Sequence, residues 1–198
     1  MDGAKSGEPK QSMEVNMTRR KIVLTGTVGV LAVLAAIGSW GLAEHYGLVE
    51  DDDDDDEGDS LVKSIGAAKI DLQQGLAASE PQGQPISGKF EVEDGKFQLS
   101  VYTVKDGKFS EVLVDHVTAK VSKVEPITSG DDLSDAKSQS AAIAGAKSSL
   151  KDAVDKAVAQ NSDFRAVRVV PMLNDGHPTA SVLLLKGSEF KTVALPLE

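Results

Sequence analysis

Residues 22–43 run for 22 positions without a charged side chain, and that stretch divides the chain into parts that cannot share one core. At 1.5 Å rise per residue, a helix of this length crosses a hydrocarbon layer of about 30 Å. Arg19, Arg20 and Lys21 stand before it and a dense acidic run follows it. This bias of basic residues predicts a cytoplasmic N-terminus and export of everything after residue 43. Trp40 and Tyr46 fall where aromatic residues line a membrane–water interface. The expected membrane-contacting residues are therefore Arg19, Arg20, Lys21, Trp40 and Tyr46, in a single-pass inner-membrane protein with a periplasmic or extracellular C-terminal domain. The same residues also fit a signal peptide read from Met17, with Gly41-Leu42-Ala43 as the cleavage site. On that alternative the protein is secreted after cleavage near Ala43.

The acidic run sets the apparent charge. The chain of 198 residues carries a net charge of -10. Nine acids lie between Glu50 and Asp59, and without them 22 acidic residues face 21 basic ones. The rest of the chain is nearly neutral, with no basic footprint for nucleic acid. Asp51, Asp52, Asp53, Asp54, Asp55 and Asp56 repel one another and present no apolar face. They are expected to form an extended spacer over residues 44–59, with loosely held counterions. Cysteine is absent, which removes disulfides, thiol catalysis and cysteine-type metal sites.

Beyond residue 59 the pattern changes. Leu61, Ile65, Ala68, Leu72 and Leu76 have helical spacing, and Pro81, Gly83 and Pro85 end that helix. Alternating strands follow, separated by the hairpin signals Asp94-Gly95 and Asp106-Gly107. The same order returns after Ser129. Ile143, Ala146, Leu150, Val154 and Ala157 mark a second helix, and three more strands have turns at Asp175-Gly176 and Lys186-Gly187. At an offset of 81, Asp94, Gly95, Ser100, Val101, Lys105, Phe109 and Val112 fall on Asp175, Gly176, Ser181, Val182, Lys186, Phe190 and Val193. The helices align at an offset of 78, Lys69 on Lys147 and Leu72 on Leu150. This pattern predicts an internal duplication.

The expected fold class is α+β: two αβββ repeats, each a helix packed on a three-stranded antiparallel sheet, preceded by one N-terminal transmembrane or signal helix. The segments are a cytoplasmic tail over 1–21, the apolar segment over 22–43, the acidic linker over 44–59, and repeats over 60–125 and 126–198. One such layer pair is marginal alone, so the copies are expected to share an interface or a continuous sheet.

The residues from Ile86 through Val121 resemble the PepSY domain family. The likeness lies in Phe90-Glu91-Val92-Glu93-Asp94-Gly95-Lys96, Tyr102-Thr103-Val104-Lys105-Asp106-Gly107-Lys108 and Val112-Leu113-Val114-Asp115, with Thr118, Lys120 and Val121 beyond. His116 and Ala119 depart from the family pattern, which has a small residue and a glycine there. The missing glycine predicts that the chain after the third strand does not make the family's tight turn. The resemblance implies a secreted or membrane-anchored module, associated with peptidase inhibition in metallopeptidase propeptides. It occurs also in envelope proteins without a peptidase, and one branch with paired domains binds lanthanides.

No catalytic set emerges from the residues. Asp115 and His116 are adjacent, and on one strand they point to opposite faces. His177 falls at a hairpin tip, and Ser148 with Lys151 meets the SxxK spacing without its companion motifs. The expected function is non-enzymatic binding or regulation of an envelope protein partner, as a peptidase inhibitor or an accessory subunit of a membrane complex. Glu91, Glu93, Tyr102, Lys105 and Glu111 are the candidate docking residues, and no cofactor is expected. The alternative is a periplasmic binder of Ca²⁺ or a lanthanide, using the Asp51–Asp56 run or Asp94, Asp106, Asp115 and Asp175, since hard cations take oxygen ligands.

Overall fold

The computed structural model describes residues 54–198, with side chains from residue 58 onward. The tail, the apolar segment and Asp51, Asp52 and Asp53 lie outside the described residues, as do Arg19, Arg20, Lys21, Trp40 and Tyr46. No helix among the described residues is long and apolar enough to cross a membrane.

Helix α1 (Asp54–Ser64) begins inside the acidic run, which corrects the expectation of a fully extended spacer. A 3-10 turn (Ile65–Ala67) and an extended stretch then separate it from α2 (Leu72–Ser79). The single helix expected here is therefore two. Asp71 restarts it with a capping box, accepting from the Gln74 N–H at 2.7 Å while Gln74 accepts from the Asp71 N–H at 2.9 Å.

Strands β1 (Gln84–Glu93), β2 (Lys96–Lys105), β3 (Lys108–Val114) and β4 (Val121–Ile127) follow. The second expected helix is also broken, into α3 (Gly130–Ile143) and α4 (Leu150–Gln160), the latter restarted by a Ser149–Asp152 capping box. Strands β5 (Arg165–Asn174), β6 (His177–Lys186) and β7 (Glu189–Pro196) complete the chain. Asp94-Gly95, Asp106-Gly107 and Asp175-Gly176 all take positive φ at both positions, the backbone of two-residue hairpin turns. The β6–β7 turn sits one residue later than expected, with Gly187 at φ 61.

These strands form one seven-stranded antiparallel sheet in the order β4-β3-β2-β1-β5-β6-β7. The architecture of two αβββ repeats is thereby overturned: the described residues form a single sheet with four α-helices and an added strand, β4. The joint between β1 and β5 is narrow, made by Gly88 opposite Val169 and Lys89 opposite Arg168. The internal likeness survives in particular bonds. Lys69 and Ile70 donate their N–H groups to the His116 carbonyl at 2.8 and 3.3 Å, and Lys147 and Ser148 donate theirs to the Leu197 carbonyl at 2.6 and 3.0 Å. Each helix break is thus held by the segment that follows a third strand.

Side chains alternate across a strand, so the register sorts the helices onto faces. A Cβ on Gly75 would lie 2.2 Å from Leu99 Cδ2, and one on Gly88 would meet Leu76, Leu72 and Val101. Helix α2 therefore packs on the face of Leu99 and Val101. Val154 of α4 shares the same buried cluster with Val169, Val182 and Leu184, residues that the pairing places on that face. Helix α3 lies on the other face, where Ser87 donates to Gln139 at 2.7 Å and Tyr102 to Asp132 at 3.3 Å.

Candidate functional site

The face that carries α3 also carries a group of polar residues drawn from β1, β2, β3 and β4. Alternation puts Lys89, Glu91 and Glu93 on it from β1, and Gln98, Ser100 and Tyr102 from β2. The register adds Glu111 from β3 and Glu125 from β4, directly opposite each other. Carboxylate oxygens of Glu91, Glu93 and Glu111 all lie within 4.8 Å of one another.

Donors already serve this group. Gln98 Nε2 reaches Glu91 Oε1 at 3.3 Å and Glu93 Oε2 at 2.7 Å, and Ser100 Oγ donates to Glu111 Oε1 at 2.6 Å. Lys89 Nζ lies 2.5 Å from Glu91, and Lys123 Nζ 2.8 Å from Glu125. Glu111 is only 7% exposed. Burial pushes its carboxyl above the usual range, Glu91, Glu93 and Glu125 add to the shift, and the Ser100 hydrogen bond opposes it.

At the end of the group toward α3, burial raises the Tyr102 phenol, and the charges of Asp132, Glu111 and Glu91 raise it further. Burial likewise raises Asp132 against the Tyr102 hydrogen bond, and raises Asp135 with help from Asp131. The result is a patch of ionisable groups of both signs with acids in excess. Lys89, Glu91 and Glu93 remain partly exposed at its surface.

The five expected docking residues do not all gather here. Glu91, Glu93 and Glu111 come together. Tyr102 is on the same face but 4% exposed beneath α3. Lys105 belongs to the opposite face by alternation, and its Nζ reaches the Pro81 carbonyl at 3.4 Å. The turn aspartates are dispersed: Asp94 and Asp115 lie at one end of the sheet, and Asp106 and Asp175 at the other. Among the described residues, none of the four joins a group of three carboxylates.

Asp115 instead builds the β3–β4 turn. Its Oδ1 accepts from the Thr118 N–H at 2.7 Å, the Thr118 hydroxyl at 2.8 Å and the Val117 N–H at 3.0 Å. The Thr118 hydroxyl, then the Thr118 and Val117 backbone groups, hold its carboxyl below the ordinary range. The tight turn is made after all, with Ala119 at φ 59 where the resembling family carries glycine. Asp115 and His116 thus belong to a turn and not to a strand. His116 packs its ring 4.8 Å from that of Phe97.

Strand alternation was enough to group Glu91, Glu93 and Glu111. Lys123 and Glu125 share that face in the register, but β4 itself was not legible as a strand. Asp132 and Asp135 gave no signal, because nothing in the sequence shows that α3 crosses to this face. Comparison of the chain with family models, curated proteins and solved structures finds no match.

Proposed function

We propose that this chain is a non-enzymatic envelope protein that docks or regulates a protein partner through the α3-bearing face of β1–β4. The carrying observation is the association of Glu91, Glu93 and Glu111 on a partly exposed sheet surface. A sheet surface with acids in excess suits a partner segment bearing lysine or arginine, because complementary charge sets register and encounter rate. The resemblance of residues 86–121 to PepSY modules supports the same reading, with peptidase inhibition or membership of a membrane complex as its forms. The anchor expected over residues 22–43 would hold this face in the envelope.

The cation reading has the same three carboxylates in its favour. Against it, Gln98, Ser100 and Lys89 already donate to them, and a hard cation needs oxygens free to surround it. Titration of the full chain, with Asp51 through Asp56 replaced by Asn, against Ca²⁺ and a luminescent lanthanide separates the two. The docking reading predicts no saturable uptake. Stoichiometric binding that survives the replacement would install the cation reading in its place.

A further inference from the structure

Two of the three large apolar side chains exposed among the described residues, Val117 and Val124, lie along one edge of the sheet. Val124 is 42% exposed in the middle of β4, and Val117 is 48% exposed in the turn that leads into it. Lys123 and Glu125 flank Val124, with their charged groups 2.8 Å apart and their side chains 50% and 30% exposed. By alternation both belong to the face that carries Glu111, and Val124 points to the other. Among the described residues, β4 is paired on one side only, with β3.

This short sequence is self-complementary. Turn a second copy about a two-fold axis through Val124 and pair the strands antiparallel. Residue 123 of each copy then stands opposite residue 125 of the other. Two Lys123–Glu125 contacts form, one on each side of the axis, and Val124 meets Val124 of the second copy.

Pro126 falls opposite Ser122 of the second copy. Having no N–H it adds no donor there, so the ladder is short and its ends are marked, which disfavours slipped registers.

We propose that β4 is a homodimer interface, in which two copies of this chain pair β4 to β4 about a two-fold axis through Val124. The pairing continues the sheet from one copy into the next and sets their two glutamate faces side by side. It does not depend on what those faces bind.

The chain has no cysteine, so single cysteines report the register. In the full-length chain, Val124→Cys places two Cβ atoms about 5 Å apart across the axis, close enough for a disulfide after a small adjustment. Ser122→Cys places its two copies about 13 Å apart along the strands, and Val193→Cys on β7 measures chance collision. Under mild oxidation V124C is expected to give a disulfide dimer as its main product, several-fold above S122C and V193C. Adding Lys123→Glu to V124C is expected to cut the yield to the V193C level, and adding K123E with Glu125→Lys to restore it. Equal dimer yields from V124C and V193C, efficient dimers from S122C, or a yield untouched by K123E would overturn the proposal.

Discussion

The guanidinium of Arg165 lies over the ring of Phe90, 5.1 Å from its centroid. Its two amino groups reach the carbonyls of Ile65, Ala68 and Ile70. A single side chain from β5 thereby fixes the connector between α1 and α2 onto β1. Burial lowers the tendency of this arginine to hold its charge, and Asp71 opposes that. The carbonyl bonds and the ring contact are what make the site tolerable. Arg165→Ala is expected to cost about 2–4 kcal/mol, as charged hydrogen bonds and a cation–π contact are lost together. Arg165→Lys should recover only part, because one ammonium cannot serve three carbonyls and the ring. Urea denaturation monitored by circular dichroism measures both.

The turn after β3 makes a second prediction. Ala119 sits at φ 59, a region where a Cβ costs roughly 1–2 kcal/mol. Ala119→Gly relieves that strain, at the cost of a more flexible unfolded chain. A net gain of up to about 1 kcal/mol is expected, and Ala119→Val should lower stability. A fall in melting temperature with glycine would show that the turn is held some other way.

Close packing gives the third. Leu99 is fully buried, and it fills the space a side chain on Gly75 would need. Gly75→Ala should destabilise by about 1–3 kcal/mol through overpacking. Leu99→Ala alone should cost about 2–5 kcal/mol. The double variant should be more stable than the sum of the two predicts, because each change makes room for the other.

Glu111 carries the pH prediction. Its folded pKa is raised, with burial the largest cause. A raised carboxyl penalises the fold once it is ionised. The penalty is absent below the unfolded pKa of about 4.3 and full above the folded value. Glu111→Gln keeps an oxygen to accept from Ser100 and removes the buried charge. The variant should be more stable than the parent at pH 7, and the difference should shrink as the pH falls toward 4. A difference independent of pH would mean that folding does not raise the Glu111 carboxyl above its unfolded value.

Local chemistry was legible in the sequence, and long-range placement was not. Asp94-Gly95, Asp106-Gly107 and Asp175-Gly176 announced their hairpins because only a few residue types accept two consecutive positive φ angles. The helix breaks at residues 68–71 and 144–149 were hidden. Ile65, Leu72 and Leu76 keep a helical spacing across the first break, as do Ile143, Leu150 and Val154 across the second. The capping boxes at Asp71 and Ser149 were the signals that could have exposed them. Strand β4 escaped because Val121, Ser122, Lys123 and Val124 show little apolar alternation and Pro126 argues against a strand, as suits an edge. The single sheet rests on two residue pairs, Gly88 with Val169 and Lys89 with Arg168, which no local pattern encodes. The site was legible to the same extent. Alternation grouped three glutamates, but the crossing of α3 that buries Tyr102 is a tertiary fact.

The proposed docking face can be tested directly with a photo-reactive residue in place of Gln98, between Glu91 and Glu93, in the full-length chain within the cells that make it. A discrete adduct is expected, weakened by salt and lost when Glu91, Glu93 and Glu111 are replaced together by Gln in a chain that remains folded by circular dichroism. The same probe in place of Lys105, on the opposite face, should not give that adduct. No adduct at position 98, or one that ignores the glutamate replacements, would contradict the assignment of this face to a protein partner.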